Sequence, residues 1–97
     1  MKNIGSFRDE WLKYFFMDKE PFRLIPTDIE SALARKLDII NAAADHRDLR
    51  SPPGNKFEHL SGNLTGYCSI RVNSQYRLIF RWENGKAEDL YLDPHKY

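Results

Sequence analysis

An α+β fold is what this 97-residue chain predicts, and three observations carry the prediction. Two stretches near the start repeat apolar residues at spacings of three and four, the period of a helix with one buried face. Three runs near the end, residues 67–72, 76–82 and 87–92, are rich in β-branched and aromatic residues. Turn chemistry separates them: Asn73-Ser74-Gln75, then Glu83-Asn84-Gly85-Lys86. Two helices followed by a meander form two layers, with both N-terminal helices packed on one face of a small, mainly antiparallel sheet.

In chain order, residues 1–5 leave a short edge strand and a coil both open. Ser6 stands three residues ahead of Asp9 in the manner of an N-cap, and Phe7, Trp11, Leu12, Phe15 and Phe16 then share one stripe. A first helix is expected over residues 7–17, its aromatic side turned to a core. Residues 19–26 hold two prolines and no period, so they connect. Thr27 ahead of Asp28-Ile29-Glu30 is a capping box, in which hydroxyl and carboxylate satisfy free backbone N–H groups. A second helix follows, with Ile29, Leu33, Leu37, Ile40 and Ala44 on one face. Arg35 and Lys36 fall beside or opposite that face and read as solvated surface. Residues 45–56 are a loop, because Pro52-Pro53-Gly54 cannot continue a helix. Residues 57–60 make a short strand, and Ser61-Gly62-Asn63 turns it towards Tyr67.

Alternation sorts the meander into two faces. Tyr76, Leu78, Phe80 and Trp82 share one side of the central strand, and Arg77, Ile79 and Arg81 the other. On the preceding strand Cys68, Ile70 and Val72 oppose Tyr67, Ser69 and Arg71. One face is apolar; the other carries cations, as in a sheet covered on one side. Asn84-Gly85 marks a type I′ hairpin turn, which needs positive φ at both central residues.

Size bounds the rest. The chain is read as a single domain, residues 1–97, with 41% hydrophobic and 30% charged residues, ordinary values for a globular protein. No apolar run approaches the ~20 residues that span a bilayer, and no signal-peptide core opens the chain, so no membrane role and a cytoplasmic location are expected. The lone Cys68 has no partner in the chain and reads as core. Net charge is +1; residues 1–45 hold 7 Lys/Arg against 8 Asp/Glu and residues 46–97 hold 8 against 6. That offset supports a local basic patch, not a steering field.

Metal chemistry finds no footing. His46, His59 and His95 lack ligand spacing, and no phosphate-binding glycine loop is present. What remains is a cationic sheet face and the ending Asp93-Pro94-His95-Lys96-Tyr97. RNA strand cleavage needs a group to take the 2′-hydroxyl proton, an acid for the departing 5′-oxygen and fixed positive charge at the pentavalent phosphate. Histidine titrates near neutrality and arginine offers bidentate donors. Plainer readings stay open on pattern alone: a solvated terminal His95, arginines that only protect an open sheet face, an Asp93 that caps a turn and a His59 that packs.

A resemblance narrows this. In order along the chain, Ser6-Phe7, the stretch from Leu37 to Ala44, Arg47-Asp48-Leu49-Arg50-Ser51-Pro52-Pro53-Gly54-Asn55-Lys56, Leu60-Ser61-Gly62-Asn63, Gly66-Tyr67, Ser69-Ile70-Arg71-Val72-Asn73, Gln75-Tyr76-Arg77-Leu78, Phe80 and Asp93-Pro94-His95 resemble the HigB-like toxins of the RelE/ParE superfamily. The resemblance implies the toxin of a toxin–antitoxin pair, neutralised by a helix-turn-helix HigA-like antitoxin and reaching operator DNA only through it. It implies cleavage of mRNA in the ribosomal A site with neither metal nor cofactor. By position, the family's central-strand arginine falls on Arg77, its C-terminal acid–base histidine on His95 and its carboxylate on Asp93. Arg71 of the SIRVN motif, with Lys56, Arg81, Lys96 and Tyr97, is expected to bind RNA.

The sequence also departs from the family. Pro94 stands where many relatives have an aromatic between the Asp and the His, with Tyr97 as a substitute ring. Ser61 replaces a frequent lysine, which leaves Lys56 to compensate. Two other functions share the fold: a ParE-like poison of gyrase, and a catalytically silent partner that only binds antitoxin.

Overall fold

The computed structural model describes residues 3–18, 22–23 and 25–94. Two helices, α1 (Glu10–Asp18) and α2 (Glu30–Ala42), precede four strands, β1 (Glu58–His59), β2 (Tyr67–Arg71), β3 (Arg77–Glu83) and β4 (Lys86–Asp93). The strands form one antiparallel sheet in the order β1-β2-β3-β4. Turn chemistry explains the two hairpins. Asn84 (φ 52°) and Gly85 (φ 77°) both take left-handed backbone, as a type I′ turn requires. At the other turn the Asn73 side chain accepts from Gln75 N and Tyr76 N at 2.8 and 2.7 Å, an Asx turn that fixes the β2–β3 register.

Beyond β4 the sheet gains a parallel neighbour. Ile4 bridges to Ala87 and Phe7 to Leu90, with Gly5 N donating to Ala87 O at 2.7 Å and Arg8 N to Leu90 O at 2.9 Å. The pairing settles the open alternative for Asn3 to Gly5; Met1 and Lys2 lie outside the described residues. It also corrects the expected N-cap. Ser6 is occupied by the sheet, its carbonyl accepting from Leu90 N and its hydroxyl from Asp89 N. The first helix therefore begins at Glu10, after Phe7 has already been used as sheet.

Within α1, Leu12 and Phe15 are buried, and Trp11 stacks on Phe22 with ring centroids 5.2 Å apart. In α2, Leu33, Leu37 and Ile40 are fully buried. These side chains share one apolar cluster with Cys68, Ile70, Val72, Leu78, Phe80, Ala87 and Leu90, each large member contributing about 1.5–3 kcal/mol by burial. The apolar stripe ends differently from expectation: Ala43 is buried where Ala44 was expected, because the helix stops at Ala42 and the chain turns extended at Ala43.

Two further expectations are overturned. Thr27 forms no capping box; Thr27–Ile29 is a 3-10 turn behind Pro26, whose carbonyl takes the Ile29 N–H at 3.1 Å, and no side chain caps it. A two-way capping box occurs instead at Asp45 and Asp48, opening the 3-10 turn His46–Arg50. Lys36 is not solvated surface. It is 6% exposed and its ammonium donates to Asn55 Oδ1, since the loop of residues 45–56 folds over its end.

Irregularity in β4 matters most for the site. Ile79 pairs with Tyr91 but Arg81 pairs with Glu88, so Asp89 and Leu90 together oppose Phe80. Asp89 sits at φ 57° in this bulge. The extra residue resets the alternation: Ala87 and Leu90 both enter the core, and Tyr91 and Asp93 return to the face of Ile79 and Arg77.

Candidate active site

Strand pairing brings the cationic residues into rows on the face opposite the apolar cluster. Arg71 lies directly across from Arg77, and Arg77 directly across from Asp93. The next row holds Glu58, Ser69, Ile79 and Tyr91. The row beyond holds Tyr67 and Arg81. Cations were expected on this face, but not the burial of its centre: Ser69 is fully buried and the Arg77 side chain only 10% exposed.

Arg77 is held at both ends of its fork. One terminal nitrogen donates to Ser69 Oγ at 3.2 Å and the other reaches Glu58 Oε1 at 3.5 Å. The guanidinium lines a pocket of about 100 Å³ with Glu58, Leu60, Leu64, Ser69, Ile79 and Asp93. A small open pocket with a guanidinium in its wall suits a phosphate group. Arg71, half-buried, stands across the strand pair from Arg77 and does not line the pocket. Like charges opposite each other disfavour a strand pair, so an anion arriving between Arg71 and Arg77 would relieve their repulsion.

A second constellation lies beside the pocket on the same face. The Arg8 guanidinium donates to both carboxylate oxygens of Asp89, at 3.2 and 2.6 Å. Tyr67 Oη donates to the same carboxylate at 2.6 Å and accepts from Arg81 at 3.2 Å. Arg8 also covers the Tyr91 ring, 3.9 Å from its centroid. These donors, Arg8 first, hold the Asp89 carboxyl down at about 2. Arg81 Nε is shut off from solvent without an aligned acceptor, although the Glu83 carboxylate stands 3.3 Å away.

The other expected site residues divide. Arg77 and Asp93 line the pocket, Arg71 pairs across from Arg77 outside it, and Arg81 lies along the same strand as Arg77 at the second constellation. Lys56 is exposed in left-handed backbone (φ 48°) and does not line the pocket. His95, Lys96 and Tyr97 lie outside the described residues. His59 pairs with Cys68 and so faces away from Arg77, in an aromatic cluster with His46 and Phe57. Cys68 is core: burial pushes its thiol up to about 12. Sequence reasoning passed over Glu58, which period-two alternation from Ser69 would have found, and Arg8 and Asp89, whose contact spans 81 residues.

The depressed Asp89 carboxyl sets an acid limit. Its folded value of about 2 lies below the ordinary 3.8, so its contribution is complete above 3.8 and is lost as pH falls through about 2. Solvent screens it, because the Arg8 side chain is 44% exposed, and about 1 kcal/mol remains. Asp89→Asn, which tolerates left-handed backbone, should lose that amount at pH 7 and only a small part of it at pH 2. Urea melts at both pH values check it.

Comparisons with known proteins agree with one another. A model of the HigB-like toxin family, the RelE-like toxin HigB of type II toxin–antitoxin systems, matches residues 5–95. The chain is 63% identical over 92 residues to Toxin HigB-1 of Vibrio cholerae, covering 95% of this chain and 97% of that protein. It is 47% identical over 91 residues to an uncharacterized protein of Haemophilus influenzae, covering 94% and 90%. Among solved structures it is similar to the YoeB–YefM complex from Staphylococcus aureus, at 22% identity and a TM-score of 0.57 over 97% of this chain and 95% of that one. The YoeB dimer from the same organism aligns at 25% identity and 0.55, covering 99% and 95%.

Proposed function

Because the chain belongs to the HigB-like, RelE-like toxin family of type II toxin–antitoxin systems, we propose that it is a ribosome-dependent endoribonuclease that cuts mRNA in the A site without a metal. The observation that carries the reading is the Arg77 guanidinium, nearly buried, oriented by Ser69 and Glu58 and opening into a small pocket that ends at Asp93. In this reading the two helices back one face of the sheet and leave the Arg77 face to RNA.

The chemistry assigns each group a role. The 2′-hydroxyl oxygen loses its proton and attacks phosphorus; the bond to the 5′-oxygen breaks, and that oxygen takes up a proton. The products are a 2′,3′-cyclic phosphate and a 5′-hydroxyl. His95, two residues beyond Asp93, is the general acid or base, and Asp93 orients its ring. Arg77 holds the phosphate and the added charge of the pentavalent state. Glu58, 55% exposed, is the countercharge that keeps Arg77 aimed until a phosphate displaces it. Arg71, Lys56, Arg81, Lys96 and Tyr97 bind the strand, a contribution that weakens with salt.

The partner is a HigA-like helix-turn-helix antitoxin, and operator DNA is reached only through it. The YoeB–YefM complex is the parallel among proteins of this fold.

Brief induction of the chain alone, followed by mapping of mRNA 5′ ends, tests the proposal. New ends inside translated codons are expected, and His95→Ala should reduce them about 100-fold or more. DNA damage without mRNA cleavage would assign the chain to gyrase poisoning instead. Absence of both, with antitoxin still bound, would make it a silent partner.

A further inference from the structure

Four of the five side chains beside the pocket, Arg8, Tyr67, Asp89 and Tyr91, have no task in the cleavage chemistry. They are not core. Arg8 is 44% exposed and Tyr91 partly exposed, so the Arg8–Asp89 ion pair adds no more than about 1 kcal/mol to folding. Yet the chain interrupts the β3–β4 ladder and puts Asp89 in left-handed backbone to bring them together. Bulges of this kind recur beside functional sites, where they re-aim a side chain.

The geometry has a direction. Tyr91 is two residues from Asp93 on the same face, about 7 Å along the strand. Its ring is overlaid by the Arg8 guanidinium, and that guanidinium is fixed by two bonds to Asp89, which Tyr67 steadies in turn. Since Asp89 already neutralises Arg8, this is a poor place for a second phosphate. It sets a guanidinium over an aromatic ring, the two kinds of group on which proteins seat unpaired bases.

We propose that the Arg8–Tyr91 stack is a platform for one nucleobase of the RNA strand beside the scissile phosphate, with Asp89 and Tyr67 as positioning residues that hold the Arg8 plane. The proposal rests on the ribonuclease reading and supplies, from β4 and the N-terminal segment, a ring contact that Pro94 does not make. Stacking tolerates every base, so the platform imposes no preference at its nucleotide.

The test uses ribosomes programmed with a short mRNA in which the nucleotide on either side of the cleaved bond is in turn made abasic. On intact mRNA, Tyr91→Leu should lower kcat/KM roughly 5- to 150-fold, the range one stacked base supplies. Arg8→Lys keeps the ion pair but not the plane; it should lose a similar amount and remain folded where Tyr91→Leu does not. On the mRNA abasic at the platform nucleotide, the wild-type chain should fall to the level of the variants, and the variants should fall little further. The salt dependence of kcat/KM should be the same for all three proteins, because no phosphate contact is lost. If the wild-type chain cleaves but the losses multiply, the side chains are structural, and the platform is overturned while the ribonuclease reading stands. If the wild-type chain does not cleave programmed ribosomes, the ribonuclease reading fails and the platform with it.

Discussion

If the chain is the ribonuclease proposed above, Arg77→Ala should lower mRNA cleavage on programmed ribosomes about 10³- to 10⁵-fold, the range an arginine supplies when it meets the charge of a phosphoryl transition state. The size follows from its setting. The side chain is 10% exposed, and its fork is fixed by Ser69 and Glu58 before any substrate arrives. Little reorganisation is then needed as negative charge develops on the phosphate oxygens. Arg77→Lys should recover only a small part, since a point charge on a flexible stem cannot reproduce two parallel donors. Folding should change far less: the lost bonds to Ser69 and Glu58 amount to about 1–3 kcal/mol. Single-turnover cleavage beside a thermal melt separates the two effects. Cleavage by Arg77→Ala within tenfold of wild type would remove Arg77 from the phosphate.

Legibility in the sequence followed the length scale of each interaction. Period-two alternation placed Arg71, Arg77 and Arg81 on one face, because a strand leaves side chains no other choice. Asn84-Gly85 announced its turn, since few residue pairs accept that backbone. Errors began where a distant segment competed for a group. Ser6 looked like a cap until the edge of β4 took its hydroxyl. Lys36 looked solvated until a loop beginning nine residues later closed over it. The bulge was the deepest omission. Unbroken alternation along β4 would give Ala87, Asp89 and Tyr91 one face, whereas the reset sends Ala87 to the core and brings Tyr91 beside Ile79. Half of the cationic face, the half with Arg8 in it, was therefore out of reach of pattern alone. The burial of Arg77 was out of reach for a related reason, since its surroundings include Leu60 and Leu64, from outside its own strand pairing.

Asn55→Ala should destabilise the fold by about 3 kcal/mol. Asn55 is fully buried, and its side chain makes three contacts: it accepts from the Lys36 ammonium and donates to Leu49 O at 3.1 Å and Ser51 O at 3.2 Å. Alanine leaves a nearly buried ammonium without that acceptor and two carbonyls without that donor, and unmet buried groups cost about 1–3 kcal/mol each, more when charged. For a domain of this size the melting temperature should fall by roughly 12–24 °C. Alkaline pH identifies the cause. Burial, with Arg35 nearby, lowers the Lys36 pKa from 10.5, so between the lowered value and 10.5 the unfolded chain binds more protons than the folded one. Stability from this group therefore rises with pH across that window and reaches its full value above 10.5. The rise should be larger in Asn55→Ala, where the ammonium has lost its acceptor, and absent in Lys36→Met, which serves as the baseline for every other group that titrates there. Lys36→Met combined with Asn55→Leu, which removes both partners, should be more stable than Asn55→Ala alone. An additive double mutant with no difference in alkaline slope would mean that the loop is held by its backbone turns and that the buried pair is incidental to it.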